Sequence, residues 1–310
     1  MRIVSLLPSA TEIVCALGLG EQLVGVTHEC DFPSGIGEKP HLTASRISHE
    51  NMTSLEIDHA VRAQLDGHGS IYDLNVDLLA DLKPDLIITQ ELCEVCAVSY
   101  STVTKAARMY AAEAQVVSLE PHTVSDVLEN IRLIASITSV ENRGIELTEE
   151  LAKRFEALTE KAKSENPVRT FMLEWLEPPF SPGHWVPEQV TAAGGVPLLG
   201  RVGEKSVPTD YGVIADSAPE TMVFIPCGYY TEDILRQIPE TRFPENWRNI
   251  PAFIEERVWA LDATSYFSRP GPRIIDGAEI LAKILHPGVF GEPNPSEAVR
   301  IQKSLFNFSK

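Results

Sequence analysis

The segment ADLKPD at 80–85 leads into the apolar run LIIT, and ADSAPE at 215–220 leads into MVFIP. The same order of helix end, proline break and strand start therefore occurs twice. A second echo pairs TEIVCALG at 11–18 with PEQVTAAG at 187–194. A duplicated unit repeats its punctuation, so the two echoes together predict two similar lobes. The strand-like runs RIVSLL, QLVGVT, DLIIT and QVVSLE in the first part, and RTFMLEW, ETMVFIP and RVWALD in the second, alternate with helical stretches. This is the pattern of βαβ units, and it predicts an α/β fold of two Rossmann-like lobes with parallel sheets.

A chain of 310 residues with 44% hydrophobic content exceeds what one core usually holds, in agreement with two domains. Between the lobes lie two helical stretches, Thr123–Val140 and Glu141–Glu165. In the second, Leu147, Leu151, Phe155, Leu158 and Ala162 recur at three- and four-residue spacing, with Glu149, Glu150, Lys153, Arg154 and Lys161 elsewhere on the wheel. About 25 residues at 1.5 Å each give a rod of roughly 37 Å, long enough to bridge two domains. The chain is thus expected to divide into a lobe at 1–122, a connecting helical region at 123–166, a lobe at 167–286 and a tail at 287–310. The tail reads as a proline-rich linker and one short helix.

The opening MRIVSLLPSATEIVCALGLG has the rough outline of a signal peptide. Pro8, Ser9, Thr11 and Glu12 interrupt its apolar run, however. The same letters read as a strand over Arg2–Leu7 and a helix ending at Gly18, with Ser9 and Glu12 at capping-box spacing. The segment is expected to be the first βα unit, which makes the chain cytoplasmic as the sequence stands and periplasmic if a leader was removed from it. No run reaches the length of about 18 apolar residues that a membrane span needs. A formal charge of −18 repels phosphate backbones and argues against nucleic acid as a partner. Five irregularly spaced cysteines do not suggest a disulfide framework.

In parallel α/β sheets, ligands bind beyond the carboxyl ends of the strands. In the second lobe the loops at those ends are aromatic: Trp175, Phe180, His184 and Trp185 after one strand, Tyr229 and Tyr230 after the next, Tyr266 and Phe267 after the last. Rings gathered there make a stacking surface for a large, flat, partly apolar ligand. The first lobe offers His28, Glu29, Cys30 and Asp31 after its second strand and QELCEVC at 90–96 after its third. Cys93 and Cys96 read as half of a zinc site, a redox pair or two packed thiols, and with Cys30 they could serve a metal- or thiol-dependent enzyme. Cys15 reads as core. GxSxG, HExxH and glycine-rich phosphate loops do not occur, and Asp31, Glu91 and Asp262 are not paired by their spacing, so the chain is read as a binding protein without catalysis.

In order along the chain, RIVSLLPSATEIVCALGLGEQLVGVTHECDFP, KPDLII, EPPFSPG, AGG at 193–195 and YFSRPGPRII resemble the cobalamin-binding receptors of bacterial vitamin uptake ABC transporters. Those receptors are class III periplasmic binding proteins, the helical-backbone metal receptors, which also bind iron siderophores and haem. The resemblance covers residues 1–286 and is specific as an ordered combination. It implies two lobes joined by one rigid helix, with cobalamin or another corrinoid in the cleft between them and an ABC transporter permease as partner; an iron siderophore or haem is the alternative ligand. Phe180 and Tyr266 match aromatic ligand contacts, and Ile71 or Tyr72 falls where the receptors place a tryptophan. Asp77 falls at the acidic docking position of the first lobe. Asp210 is near the second docking position, but Pro208 and Thr209 replace the aromatic residue expected before it.

Taken with the loops, the candidate ligand contacts are Phe180, Trp185, Tyr266, Phe267, Tyr72, Glu29 and Tyr229, and the candidate metal ligands are His184, Cys93 and Cys96. Three features depart from the receptor pattern: an opening expected to be a βα unit and not a leader, the ELCEVCAV insertion, and HWVPE after EPPFSPG. They suggest a branch that handles a corrinoid or related metal chelate inside the cell. His184 is then either a lower ligand to cobalt or a histidine that hydrogen-bonds within its own loop.

Overall fold

Short apolar runs form the strands at the centre of the two larger sheets, LIIT in one and FML and MVF in the other. The computed structural model describes residues 1–47, 52–68, 71–90 and 100–309. It divides into unit 1, Met1–Glu50, His59–Pro121 and Ser125–Glu150, and unit 2, Asn51–Asp58, His122–Val124 and Leu151–Lys310.

Unit 1 contains β1 (Ile3–Ser5), β2 (Leu23–Gly25), β3 (Thr43–Ser45), β4 (Tyr72–Leu74), β5 (Leu86–Thr89) and β6 (Gln115–Ser118). Four of these form a parallel sheet in the order β2-β1-β5-β6, while β3 and β4 make a separate antiparallel pair. Ile3, Val4, Leu86, Ile87 and Ile88 are fully buried. Successive side chains point to opposite faces, so the sheet is covered on both sides, as parallel sheets require.

The first helix, α1 (Pro8–Ala16), joins β1 to β2. It starts at Pro8 with Leu7 as N-cap and no side-chain cap, which corrects the expected Ser9–Glu12 capping box. Proline has no N–H to satisfy and its fixed φ suits the first helical position, so the helix begins one residue before the serine. Ser9 and Glu12 are buried within it. The helix stops at Ala16, and Gly18 follows at φ +73°.

The remaining helices of the first half are α2 (Ser54–His68), α3 (Val76–Leu82), α4 (Tyr100–Tyr110) and α5 (Val124–Ile137), followed by α6 (Glu141–Ala162). The 22 residues of α6 make a rod of about 33 Å, shorter than the sequence reading. Gly144 brings α6 so close to α5 that a Cβ there would overlap the methyl of Ala135. Thr148, Leu151, Leu158 and Ala162 are buried as part of the apolar stripe. Phe155, expected on that stripe, is only half-buried and lines a surface depression with Lys153, Glu156, Thr159 and Lys163.

Unit 2 contains β7 (Val168–Leu173), β8 (Gly195–Pro197), β9 (Thr221–Phe224), β10 (Arg242–Pro244), β11 (Val258–Leu261), β12 (Ala298–Arg300) and β13 (Asn307–Ser309). Its main sheet runs β12-β11-β9-β7-β8, parallel except for β12. Phe171, Met172, Leu173, Met222, Val223 and Phe224 form its buried centre. Helices α7 (Val186–Ala192), α8 (Tyr211–Asp216), α9 (Thr231–Gln237), α10 (Pro251–Ile254), α11 (Ala263–Tyr266) and α12 (Ile274–Leu285) connect or cover the strands. Arg154 of α6 reaches α12 with a forked guanidinium, donating to Glu279 at 3.0 and 2.7 Å and to Asp276 at 2.5 Å.

The tail is not a linker. Within it, β12 pairs with β11 and β13 pairs with β10. Phe306 packs its ring 4.8 Å from Phe253, 5.2 Å from Phe243 and 5.7 Å from Phe224. The tail does hold one short helix, Pro287–Phe290, started by Pro287, and the prolines at 293 and 295 lie between it and β12; Phe306 then completes the ring core of unit 2.

Candidate functional site

The carboxyl ends of β7, β9 and β11 lie side by side because these strands are parallel neighbours. From β7 the chain passes Glu174 and Trp175 and returns at Phe180, with Phe180 N–H donating to the Trp175 carbonyl at 3.3 Å. The loop at 203–209 is zipped onto 179–184. Ser181 N–H donates to Val207, Thr209 N–H to Pro179, His184 N–H to Glu204 and Gly203 N–H to His184. Gly183 is required at this crossing, since a Cβ would press into the Ser206 amide nitrogen and the Glu204 carbonyl.

Beneath the zipped loops sits the Glu174 carboxyl. It accepts from the Gly183 N–H at 3.2 Å and from the Ser206 hydroxyl. Burial pushes its pKa up to about 8, against the lowering effect of those two donors. At neutral pH this group is largely a neutral acid. The Cys227 N–H donates to the Glu174 carbonyl at 3.0 Å, tying the β9 loop to the β7 loop.

The expected ring surface divides into two sets. Trp175, Phe180 and Tyr266 are partly exposed. Trp185 and Phe267 are buried, and the Trp185 indole N–H donates to the Phe267 carbonyl at 2.9 Å. The sequence reading expected open rings here, and neither is open to solvent: Trp185 is the N-cap of α7, which begins at Val186 with Pro187 in its first turn, and its ring packs inside the unit. Tyr229 is also buried, its ring edge-on to Trp175 at 5.3 Å and its hydroxyl 3.3 Å from the Ser54 hydroxyl.

His184 has φ +51°. Its ring lies 5.8 Å from that of His122 and 5.5 Å from Trp185, and its Nε2 is buried with no hydrogen-bond partner. A metal entering from solvent cannot reach that atom unless the ring turns. Burial, then His122 and Lys205, lower the His184 pKa. Asp262 caps α11 by accepting from the Ser265 N–H at 2.8 Å, and Asp210 caps α8 by accepting from the Gly212 N–H at 2.6 Å.

In unit 1, Tyr72 is buried and donates its hydroxyl to Glu29 Oε1 at 3.0 Å, while His28 Nδ1 lies 2.7 Å from the Thr43 hydroxyl. The Cys30 thiol is buried between the hydroxyls of Thr11 at 3.1 Å and Thr27 at 3.5 Å, the surroundings of a packed thiol. Ile71 is buried, whereas Asp77 is exposed in the first turn of α3. Cys93, Cys96 and Glu91 lie outside the described residues. Among the described residues, no group of three or more His, Cys, Asp or Glu side chains is arranged to hold a metal ion, and no helix is long and apolar enough to cross a membrane.

The periplasmic binding protein family model matches residues 3–264 of this chain. The chain belongs to that family. A vitamin B12-binding protein of Vibrio cholerae is 25% identical over 289 residues, covering 90% of this chain and 86% of the relative. An uncharacterized ABC transporter substrate-binding lipoprotein of Bacillus subtilis is 25% identical over 298 residues, covering 94% and 82%. The crystal structure of a periplasmic heme binding protein from Pseudomonas aeruginosa superposes with a TM-score of 0.71 at 17% identity, covering 97% of this chain and 99% of that one.

For a periplasmic binding protein, whose role is to hold a solute, the informative groups are those that sequence reasoning missed. Glu174 immediately follows a parallel strand, and the strand-end rule that singled out the rings also points to it. Ser54 and Gln237 carry no local signal, because they meet across a sequence separation of 183 residues.

Proposed function

We propose that this periplasmic binding protein holds cobalamin or a related corrinoid at the strand ends of unit 2, without catalysing a reaction on it. The observation that carries this reading is the set of part-exposed rings Trp175, Phe180 and Tyr266 around the ends of β7 and β11. Flat, partly apolar macrocycles gain most from stacking on such rings. The similarity to the vitamin B12-binding protein of Vibrio cholerae, over 90% of this chain, supports the same ligand class. The similarity to the Bacillus subtilis lipoprotein supports delivery to an ABC-type permease, with the exposed Asp77 as a docking carboxylate.

Titration of the purified chain with cyanocobalamin and, in parallel, with hemin tests the reading by calorimetry and visible spectrum. Saturable binding of cyanocobalamin at micromolar concentration or below is expected. No heat and no spectral change with any corrinoid would overturn it, and binding of hemin alone would replace the corrinoid with haem.

A further inference from the structure

Residues 52–58 belong to unit 2, and hydrogen bonds to Trp175, Tyr229 and Gln237 hold the start of this segment there. The Ser54 N–H donates to Gln237 Oε1 at 3.2 Å, and Gln237 Nε2 donates back to the Met52 carbonyl at 2.7 Å. The Trp175 indole N–H donates to the Ser54 carbonyl at 3.3 Å, and the Ser54 and Tyr229 hydroxyls are 3.3 Å apart. One segment therefore engages the polar atoms of both rings in the Trp175–Tyr229 pair, while Gln237 holds it at two points.

Three of these four contacts lie at the long edge of the hydrogen-bond range, where strength falls off. Apolar anchoring is slight: from Met52 to Glu56 only Ser54 is buried, and the first buried apolar residue is Ile57. The start of α2 is also satisfied locally. The Thr53 N–H donates to Glu56 Oε2 at 2.8 Å and the Glu56 N–H donates to Thr53 Oγ1 at 3.3 Å, a reciprocal capping box. Glu56 is ionised in this role, its pKa lowered by the Thr53 amide. The helix end thus keeps its own cap when it leaves unit 2, and Gln237, which holds the segment at two points and makes the shortest of the four bonds, is the main polar tie that opposes its leaving.

We propose that Met52–Glu56 is a detachable strap over the Trp175–Tyr229 ring pair, that Gln237 is its catch, and that ligand competes with it for the rings. The competition rests on the reading of unit 2 as a ligand-binding surface. The strap itself does not. By population shift, a ligand that binds only the strap-free state has its affinity reduced by the fraction of molecules in that state, and weakening the catch restores it.

Hydrogen exchange on the full chain, with Gln237→Met, tests this in two arms. Without ligand, the Ser54 amide should exchange through local opening, independently of low denaturant. The variant should speed it by about tenfold and lower global stability by no more than that same factor, about 1.4 kcal/mol, in line with losing one paired catch. With cyanocobalamin at saturation the same amide should exchange faster in the parent than without ligand, and the variant should bind cyanocobalamin more tightly by a similar factor. A Ser54 amide that exchanges only with global unfolding, or equal dissociation constants in parent and variant, would overturn the strap. If neither cyanocobalamin nor hemin binds the parent, the functional reading fails and the ligand-free arm still decides the strap. Should Gln237→Met not fold, Ser54→Ala, which removes the Tyr229 partner, is read by the same two measurements.

Discussion

Replacing Glu174 by glutamine tests whether a buried acid sits under the zipped loops. Its pKa is raised from 4.5 to about 8, so the folded carboxyl keeps its proton across a window in which the unfolded chain has lost it. The unfolded state then binds fewer protons, and folding stability must fall as pH rises from about 4.5 to about 8. At about 1.4 kcal/mol per unit, the full window is worth on the order of 4 to 5 kcal/mol. Glutamine reproduces the protonated acid: its carbonyl accepts from the Gly183 N–H and its amide donates to the Ser206 hydroxyl. Glu174→Gln should therefore match the parent within about 1 kcal/mol at pH 5 and exceed it by several at pH 8.5. Urea unfolding midpoints of both proteins between pH 5 and 9 measure the difference. Parallel pH profiles would refute the reasoning, because they would mean that the native carboxyl titrates as it does in the unfolded chain.

Phe306→Ala, deep in the ring cluster of unit 2, should cost about 3–5 kcal/mol by urea unfolding, and a loss below about 1 kcal/mol would show that the tail is peripheral. His184 is held neutral by burial, its pKa below the ordinary 6.5, so its contribution is present above that pH and is lost as pH falls through it. His184→Phe should accordingly flatten the acid limb of the melting temperature between pH 7 and 5, and an unchanged limb would contradict this. Phe180→Ala and Tyr266→Ala should each weaken cyanocobalamin binding by about 1–3 kcal/mol in calorimetry. Trp185→Ala should instead lower the melting temperature by several degrees and leave affinity nearly unchanged, since its indole is spent on Phe267.

The parallel α/β architecture was legible because proline breaks and apolar runs are local signals, and the strand ends that carry Trp175, Tyr229 and Tyr266 followed from them. Which ring faces outward was not. Trp185 and Phe180 sit five residues apart on one loop, yet the helix beginning at Val186 draws the first inward while the return at Phe180 leaves the second partly open. The capping box illustrates the opposite limit. The spacing of Ser9 and Glu12 is right, but Pro8 had already taken the helix start. The tail was misread because proline-rich spacing hides strands whose partners, β10 and β11, are distant in sequence. Glu174 lacked a signal of a different kind, since its unusual acidity comes from Ser206, Gly183 and burial, and none of these is visible in neighbouring letters.

The closing of unit 2 by β13 bears on the order in which a ribosome can complete this molecule. Every residue of unit 1 has been synthesised once Glu150 is added, whereas unit 2 draws on residues as early as Ser54 and as late as Phe308. Chains emerge from the amino end, and domains fold as their residues become available. The rings of Phe224, Phe243 and Phe253 thus stay without their last partners until translation is nearly over. For that interval the nascent chain carries an open aromatic face although every residue of unit 1 is already made, and that face is where a chaperone that recognises exposed rings would first take hold.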